Sequence, residues 1–258
     1  MKTLLAGGFL LAGLLAAPMA SAQPAKPTIV LVHGAFADSS SWNGVIAKLS
    51  RDGYSVVAAA NPLRGVASDA TVVRDLVKSI KGPVVLVGHS YGGSVISEAA
   101  QGPSNVKALV FVSAFAPESG ETAIGLTGRF PGSTLGGALA PPVALGGGGK
   151  DLYIQQGRFP GQFAADVPAA QARLMAAGQR PIAEAALGEP STAPAWKTVP
   201  SWFVYGDSDK NIPPAAMAFM ADRARSRETV VVKGGSHVVM ISKPTVVARL
   251  IEQAAAAR

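Results

Sequence analysis

Six short, unbroken runs of apolar and β-branched residues recur along this chain, with helical patterns between most of them. The runs are Thr28–His33, Ser55–Ala59, Val84–Gly88, Ala108–Val112, Trp202–Tyr205 and Thr229–Val232. A strand with one wet face alternates apolar and polar residues. These runs do not alternate, so both faces are expected to be covered. Helices are expected near 40–51, 69–81, 91–101, 214–225 and 244–256, with Asp69 capping the second and Pro244 in the first turn of the last. Strand alternating with helix predicts an α/β fold, a mainly parallel six-stranded sheet flanked by helices.

The rhythm breaks between about residues 117 and 199. That stretch carries scattered prolines, a Gly146–Gly149 run that reads as a linker, and helical pieces near 150–157 and 168–178. A connection so long inside a compact domain reads as an insertion, here expected to cap one end of the sheet, with flexible parts around 125–150.

Composition narrows the chemistry. Hydrophobic residues make up 48% of the 258 and charged residues 15%, enough apolar material for a large core. There is no cysteine, which excludes a disulfide scaffold, a thiolate metal site and a cysteine nucleophile. The histidines are His33, His89 and His237, so a multi-histidine metal cluster is not expected and a catalytic imidazole must be one of three. The formal charge is +7, but Arg223, Arg225 and Arg227 form the longest basic cluster and aromatics are sparse, so no nucleic-acid partner is expected.

Met1–Lys2, an apolar stretch to Ala17 and Ala20-Ser21-Ala22 have the layout of an export signal. The apolar stretch is shorter than the ~20 residues a membrane span needs. Residues 1–22 are therefore expected to be cleaved, leaving a domain of 23–258 in the periplasm or outside the cell, with no stable membrane span.

Gly88-His89-Ser90-Tyr91-Gly92 matches G-x-S-x-G. The bare pattern is weak, but a buried-strand run precedes it and a helical run follows. It therefore sits at a sharp strand-to-helix turn that needs glycine on both sides and lifts Ser90 above the strand's carboxyl end. A serine hydroxyl needs a base. His89 adjoins Ser90, and adjacent side chains on such a turn diverge. His33 ends the first strand, where it can bond the loop backbone. His237 follows the last strand, at the same carboxyl edge, and is the expected base. Its acidic partner should follow another strand: Asp207 and Asp209 both do, and Asp209 is preferred because Asp207 directly follows Gly206 and suits the turn. Two N–H donors should meet the oxyanion. Tyr91 supplies one. Ala35, after Gly34, is the choice for the other, with Phe36 as the neighbour that could replace it. Phe36 and Tyr91 are expected to meet the substrate.

Taken together, these residues resemble the α/β-hydrolase superfamily over most of 27–116 and 200–256. His33-Gly34-Ala35, Asp38, Ser41-Trp42, Asn61-Pro62 and Gly88–Gly93 are most similar to the small methylesterase and hydroxynitrile-lyase branch. Gly206-x-x-Asp209-x-x-Ile212-Pro213 and Gly235-Ser236-His237 are similar to bacterial esterases. The resemblance implies a triad of Ser90, Asp209 and His237, oxyanion donors Ala35 and Tyr91, and a short form of the fold with six parallel strands.

The expectation is a serine carboxylic-ester hydrolase working through an acyl-enzyme on small to medium, moderately apolar esters, with no metal or organic cofactor. Gly34 and Val238 stand where the branch's lyases carry Thr and Lys, which argues against lyase activity. A perhydrolase would use the same triad. A binding protein of the same fold, with a dead or slow triad, is the alternative from another class. The insertion's Phe130, Tyr153, Phe159 and Phe163, and its Leu135, Leu139, Leu152, Leu174 and Met175, are candidates for a substrate pocket or for packing of the insertion itself.

Overall fold

A computed structural model describes residues 26–257, together with Thr3. Apart from that one residue, the expected export signal lies outside the described residues. Strands β1 (Thr28–Val32), β2 (Val56–Ala59), β3 (Val84–His89) and β4 (Val106–Val112) alternate with helices α1 (Asn43–Arg51), α2 (Val66–Ser79) and α3 (Tyr91–Ala99). The intervening segment holds α4 (Ala123–Arg129), α5 (Leu135–Ala138), β5 (Val143–Ala144), β6 (Lys150–Leu152), α6 (Phe159–Phe163), α7 (Ala169–Gly178), β7 (Ile182–Ala183) and α8 (Glu184–Gly188). The chain then returns through β8 (Ser201–Gly206), α9 (Pro214–Arg223), β9 (Thr229–Val232), α10 (Val239–Ser242) and α11 (Pro244–Ala256).

The main sheet has the order β2-β1-β3-β4-β8-β9, with every pairing parallel. Every residue of β3 is buried, as unbroken apolar runs require when helices cover both faces. Helix α1 packs against α11 and α2 against α3. Between β4 and β8, Phe111 stacks on Phe203 with ring centroids 4.6 Å apart, in the register that pairs the two residues. Parallel strands all end at one edge, so the loops after β1, β3, β8 and β9 converge there.

Several local expectations are corrected. Helix α2 starts at Val66, and Asp69 sits inside its first turn rather than capping it. The cap comes from far away: the Glu189 carboxylate accepts the N–H groups of Val66 (2.6 Å) and Ala67 (3.0 Å). Residues 150–152 form strand β6, not a helix, because β5 and β7 pair with them on either side. The Gly146–Gly149 run is the turn of the β5–β6 hairpin, where Gly148 and Gly149 take φ of 92° and 83°. The first helix opens as a 3-10 turn at Ser39–Trp42, capped by Asp38, whose carboxylate accepts the Ser40 N–H at 2.8 Å.

Candidate active site

The turn after β3 follows from sterics. A Cβ on Gly88 would lie 2.6 Å from the Gly92 carbonyl oxygen, and one on Gly92 would lie 2.6 Å from that of Val32. Ser90 between them holds φ 54° and ψ −124°, a strained backbone for a side chain. Its carbonyl accepts the N–H groups of Gly93 (2.9 Å) and Phe115 (3.1 Å), which locks the turn. Gly34 lets the β1 loop come close: a Cβ there would be 2.6 Å from both the His89 carbonyl oxygen and Ser90 Cβ.

His237 and Asp209 are in contact. Nδ1 of the imidazole is 2.7 Å from Oδ2 of the carboxylate, and both side chains are buried. The other oxygen of Asp209 accepts the N–H groups of Asn211 (2.8 Å) and Ile212 (3.1 Å), so the carboxylate is fixed. Asp207 serves the turn instead, accepting the Gly234 N–H at 2.7 Å. Ser90 and His237 line one cavity of about 950 Å3 with Ala35, Phe36 and Tyr91. Among the described residues no hydrogen bond joins Ser90 Oγ to the His237 ring; such contacts commonly tighten only when substrate is bound.

The two N–H groups expected to face the oxyanion, those of Ala35 and Tyr91, donate to no acceptor among the described residues. The Phe36 N–H is taken by the Arg180 carbonyl at 3.0 Å, which removes it as a substitute for Ala35. The Tyr91 phenol points the other way and donates to Asp69 Oδ2 at 2.9 Å. Burial, and then the adjacent carboxylate, push that phenol far above its usual range. Burial also pushes the Asp69 carboxyl up, against the opposing hydrogen bonds from Arg64 and Tyr91.

The other two histidines have structural contacts. His89 turns its Nε2 to the His237 carbonyl oxygen (3.1 Å), and burial pushes its pKa well below the ordinary value. His33 bonds the Gly34 carbonyl through Nδ1 (3.0 Å), while its Nε2 accepts the Asn61 N–H (3.1 Å).

Two contacts from the insertion had no signal in the sequence. Gln162 donates to the Lys210 carbonyl (2.8 Å) and to Asn211 Oδ1 (3.0 Å), gripping the Asp209 loop. Ser236 Oγ bonds the Asp166 carboxylate, gripping the His237 loop. The same segment builds most of the cavity. Phe130, Leu135, Leu139, Leu152 and Phe163 line it, while Tyr153 and Phe159 do not and Leu174 and Met175 line another cavity. Among the described residues, Glu184 is the one ionisable carboxylate on its wall.

Residues 29–250 match the pattern of the alpha/beta hydrolase family. The chain belongs to that family. It is 25% identical to the alpha/beta hydrolase nvfD of Aspergillus novofumigatus (strain IBT 16806), covering 89% of this chain and 97% of that one. It is equally identical to an alpha-hydroxynitrile lyase of Arabidopsis thaliana, over 85% of this hydrolase and 93% of the lyase. The crystal structure of polyneuridine aldehyde esterase superposes with a TM-score of 0.77 at 17% identity, over 89% of this chain and 99% of that one. That similarity agrees with the resemblance to the small methylesterase and hydroxynitrile-lyase branch read from the sequence. Among its described residues no helix is long and apolar enough to cross a membrane.

Proposed function

We propose that this hydrolase cleaves carboxylic esters through Ser90, His237 and Asp209. The observation that carries the reading is the buried 2.7 Å contact between His237 Nδ1 and Asp209 Oδ2 beside a cavity that Ser90 also lines. With Nδ1–H donating to Asp209, Nε2 is the basic nitrogen. It takes the Ser90 proton as Oγ attacks the ester carbonyl carbon. The carbonyl oxygen becomes an oxyanion held by the N–H groups of Ala35 and Tyr91; one such donor is worth ~3–4 kcal/mol in the transition state. The imidazolium, steadied by Asp209, protonates the leaving alcohol. Water, deprotonated by His237, then attacks the acyl-Ser90 ester and releases the acid.

The largely apolar cavity suits small to medium, moderately apolar esters, with Phe36 and Tyr91 at the reacting end. Esterase-type relatives of the same fold support the reading. Ester turnover with p-nitrophenyl substrates and fluorophosphonate labelling of Ser90 test it. Both should vanish in Ser90→Ala; retention of hydrolysis within about tenfold of the parent overturns the assignment. Labelling without turnover would favour the ligand-binding alternative. Peracid formation from an ester and hydrogen peroxide would reveal a perhydrolase. Cleavage after Ala22 and export are part of the proposal, and the intact mass of the exported protein tests them.

A further inference from the structure

The cavity containing Ser90 extends to one side, toward α4, α5 and β6. A second cavity of about 460 Å3 lies between the 3-10 turn, the start of α1, α7 and α10. Its wall is mixed, with Ser40, Asn43 and Gln171 beside Leu174 and Met175. Phe36 is the one described residue that lines both cavities.

Phe36 is held from several directions. Its backbone has φ 60°, an outlier for a bulky side chain. Its N–H is fixed to the Arg180 carbonyl, two residues past the end of α7. Its buried ring meets Phe163 edge-on, with centroids 6.1 Å apart. Phe163 in turn lies against His237, at 5.0 Å. Strain of this kind persists only where the surroundings impose it, and here they impose a wall beside the reacting centre.

We infer that Phe36 is the partition that sets the size limit of the substrate, and that trimming its ring joins the two cavities into one passage with a polar outer half. The inference rests on the ester-hydrolase reading. An ester lays its apolar arm in the larger cavity; an arm on the Phe36 side of the carbonyl meets the ring and must be short. With the ring removed, that arm reaches Ser40, Asn43 and Gln171, so a hydroxyl- or ether-ended arm gains more than an alkyl arm of equal length.

The test measures kcat/KM for the parent, Phe36→Ala and Phe36→Leu on two series. One lengthens the acyl arm of p-nitrophenyl esters, and the other lengthens the alcohol arm of acetates, with alkyl and glycol-ether ends. Phe36→Leu keeps much of the buried volume, and circular dichroism checks the fold of each variant. The expected result is a rise of tenfold or more in the ratio of long to short substrates in one series, larger for glycol-ether ends. Met175→Trp added to either variant refills the second cavity and should return the ratio toward that of the parent. An active parent whose folded variants keep its size profile, or a gain that Met175→Trp leaves intact, overturns the inference alone. A parent that neither turns over esters nor takes a fluorophosphonate label fails the ester-hydrolase reading, and the inference falls with it.

Discussion

The ring of His89 lies against that of His237, with centroids 4.8 Å apart, and its Nε2 donates to the His237 carbonyl oxygen at 3.1 Å. The histidine beside the nucleophile therefore acts on the backbone that presents the other imidazole. His89→Ala should keep the fold and lower kcat/KM about tenfold, the scale of one lost hydrogen bond of about 1.4 kcal/mol. His89→Gln, which can still donate, should recover most of the loss. Steady-state kinetics on both variants check this; an unchanged rate for His89→Ala would show that the contact does not position His237.

The two acids after β8 separate by what they touch. Asp209 meets the His237 ring, and Asp207 meets the Gly234 N–H. Asp209→Asn should lower kcat by roughly 10³–10⁴-fold, because an amide neither holds the tautomer nor steadies the imidazolium. Asp207→Asn should stay within a fewfold of the parent and lose at most about 1 kcal/mol of stability. Parallel kinetics and urea titrations decide between them, and comparable activity losses in both variants would refute the assignment.

Gly92→Ala tests the elbow. The added Cβ would sit 2.6 Å from the Val32 carbonyl oxygen and 2.9 Å from that of His33, both backbone atoms. Overpacking of this kind costs about 1–3 kcal/mol. Since Ser90 and β1 must part to relieve the clash, activity should fall along with the melting temperature. Gly136→Ala, where a new Cβ meets nothing within 4 Å, is the control and should show no loss of stability.

The strands were legible because each unbroken apolar run is its own signal: all six lie within two residues of the bounds expected. The loops that carry Ser90, Asp209 and His237 were legible for the same reason, since each follows a strand of one parallel sheet. What the sequence hid is long-range. Glu189 caps α2 across 123 positions, so the nearby Asp69 was the only visible candidate. A three-residue strand such as β6 has no period of its own, and only β5 and β7 make it one. Gln162 and Asp166 are ordinary polar residues of the insertion until the fold brings them to the loops they grip.

His33 gives the stability a pH dependence whose sign can be worked out. Burial lowers its pKa from 6.5 to about 4, against the opposing hydrogen bond to the Gly34 carbonyl. The geometry agrees: Nδ1 donates to that carbonyl, and Nε2 must stay unprotonated to accept the Asn61 N–H. In the unfolded chain the same ring takes up a proton near its ordinary value. Between these limits the unfolded state binds more protons, so stability rises with pH and is lost as pH falls from about 6.5 toward 4. The loss from this one group is roughly 3 kcal/mol across the window. His89, buried and shifted in the same direction, adds to the trend. His33→Gln keeps a donor and an acceptor but cannot titrate. Urea midpoints followed by fluorescence of the three buried tryptophans, Trp42, Trp196 and Trp202, should therefore fall less steeply with acid in the variant than in the parent. Equal slopes from pH 6.5 to 4 would show that His33 is not held neutral in the folded chain.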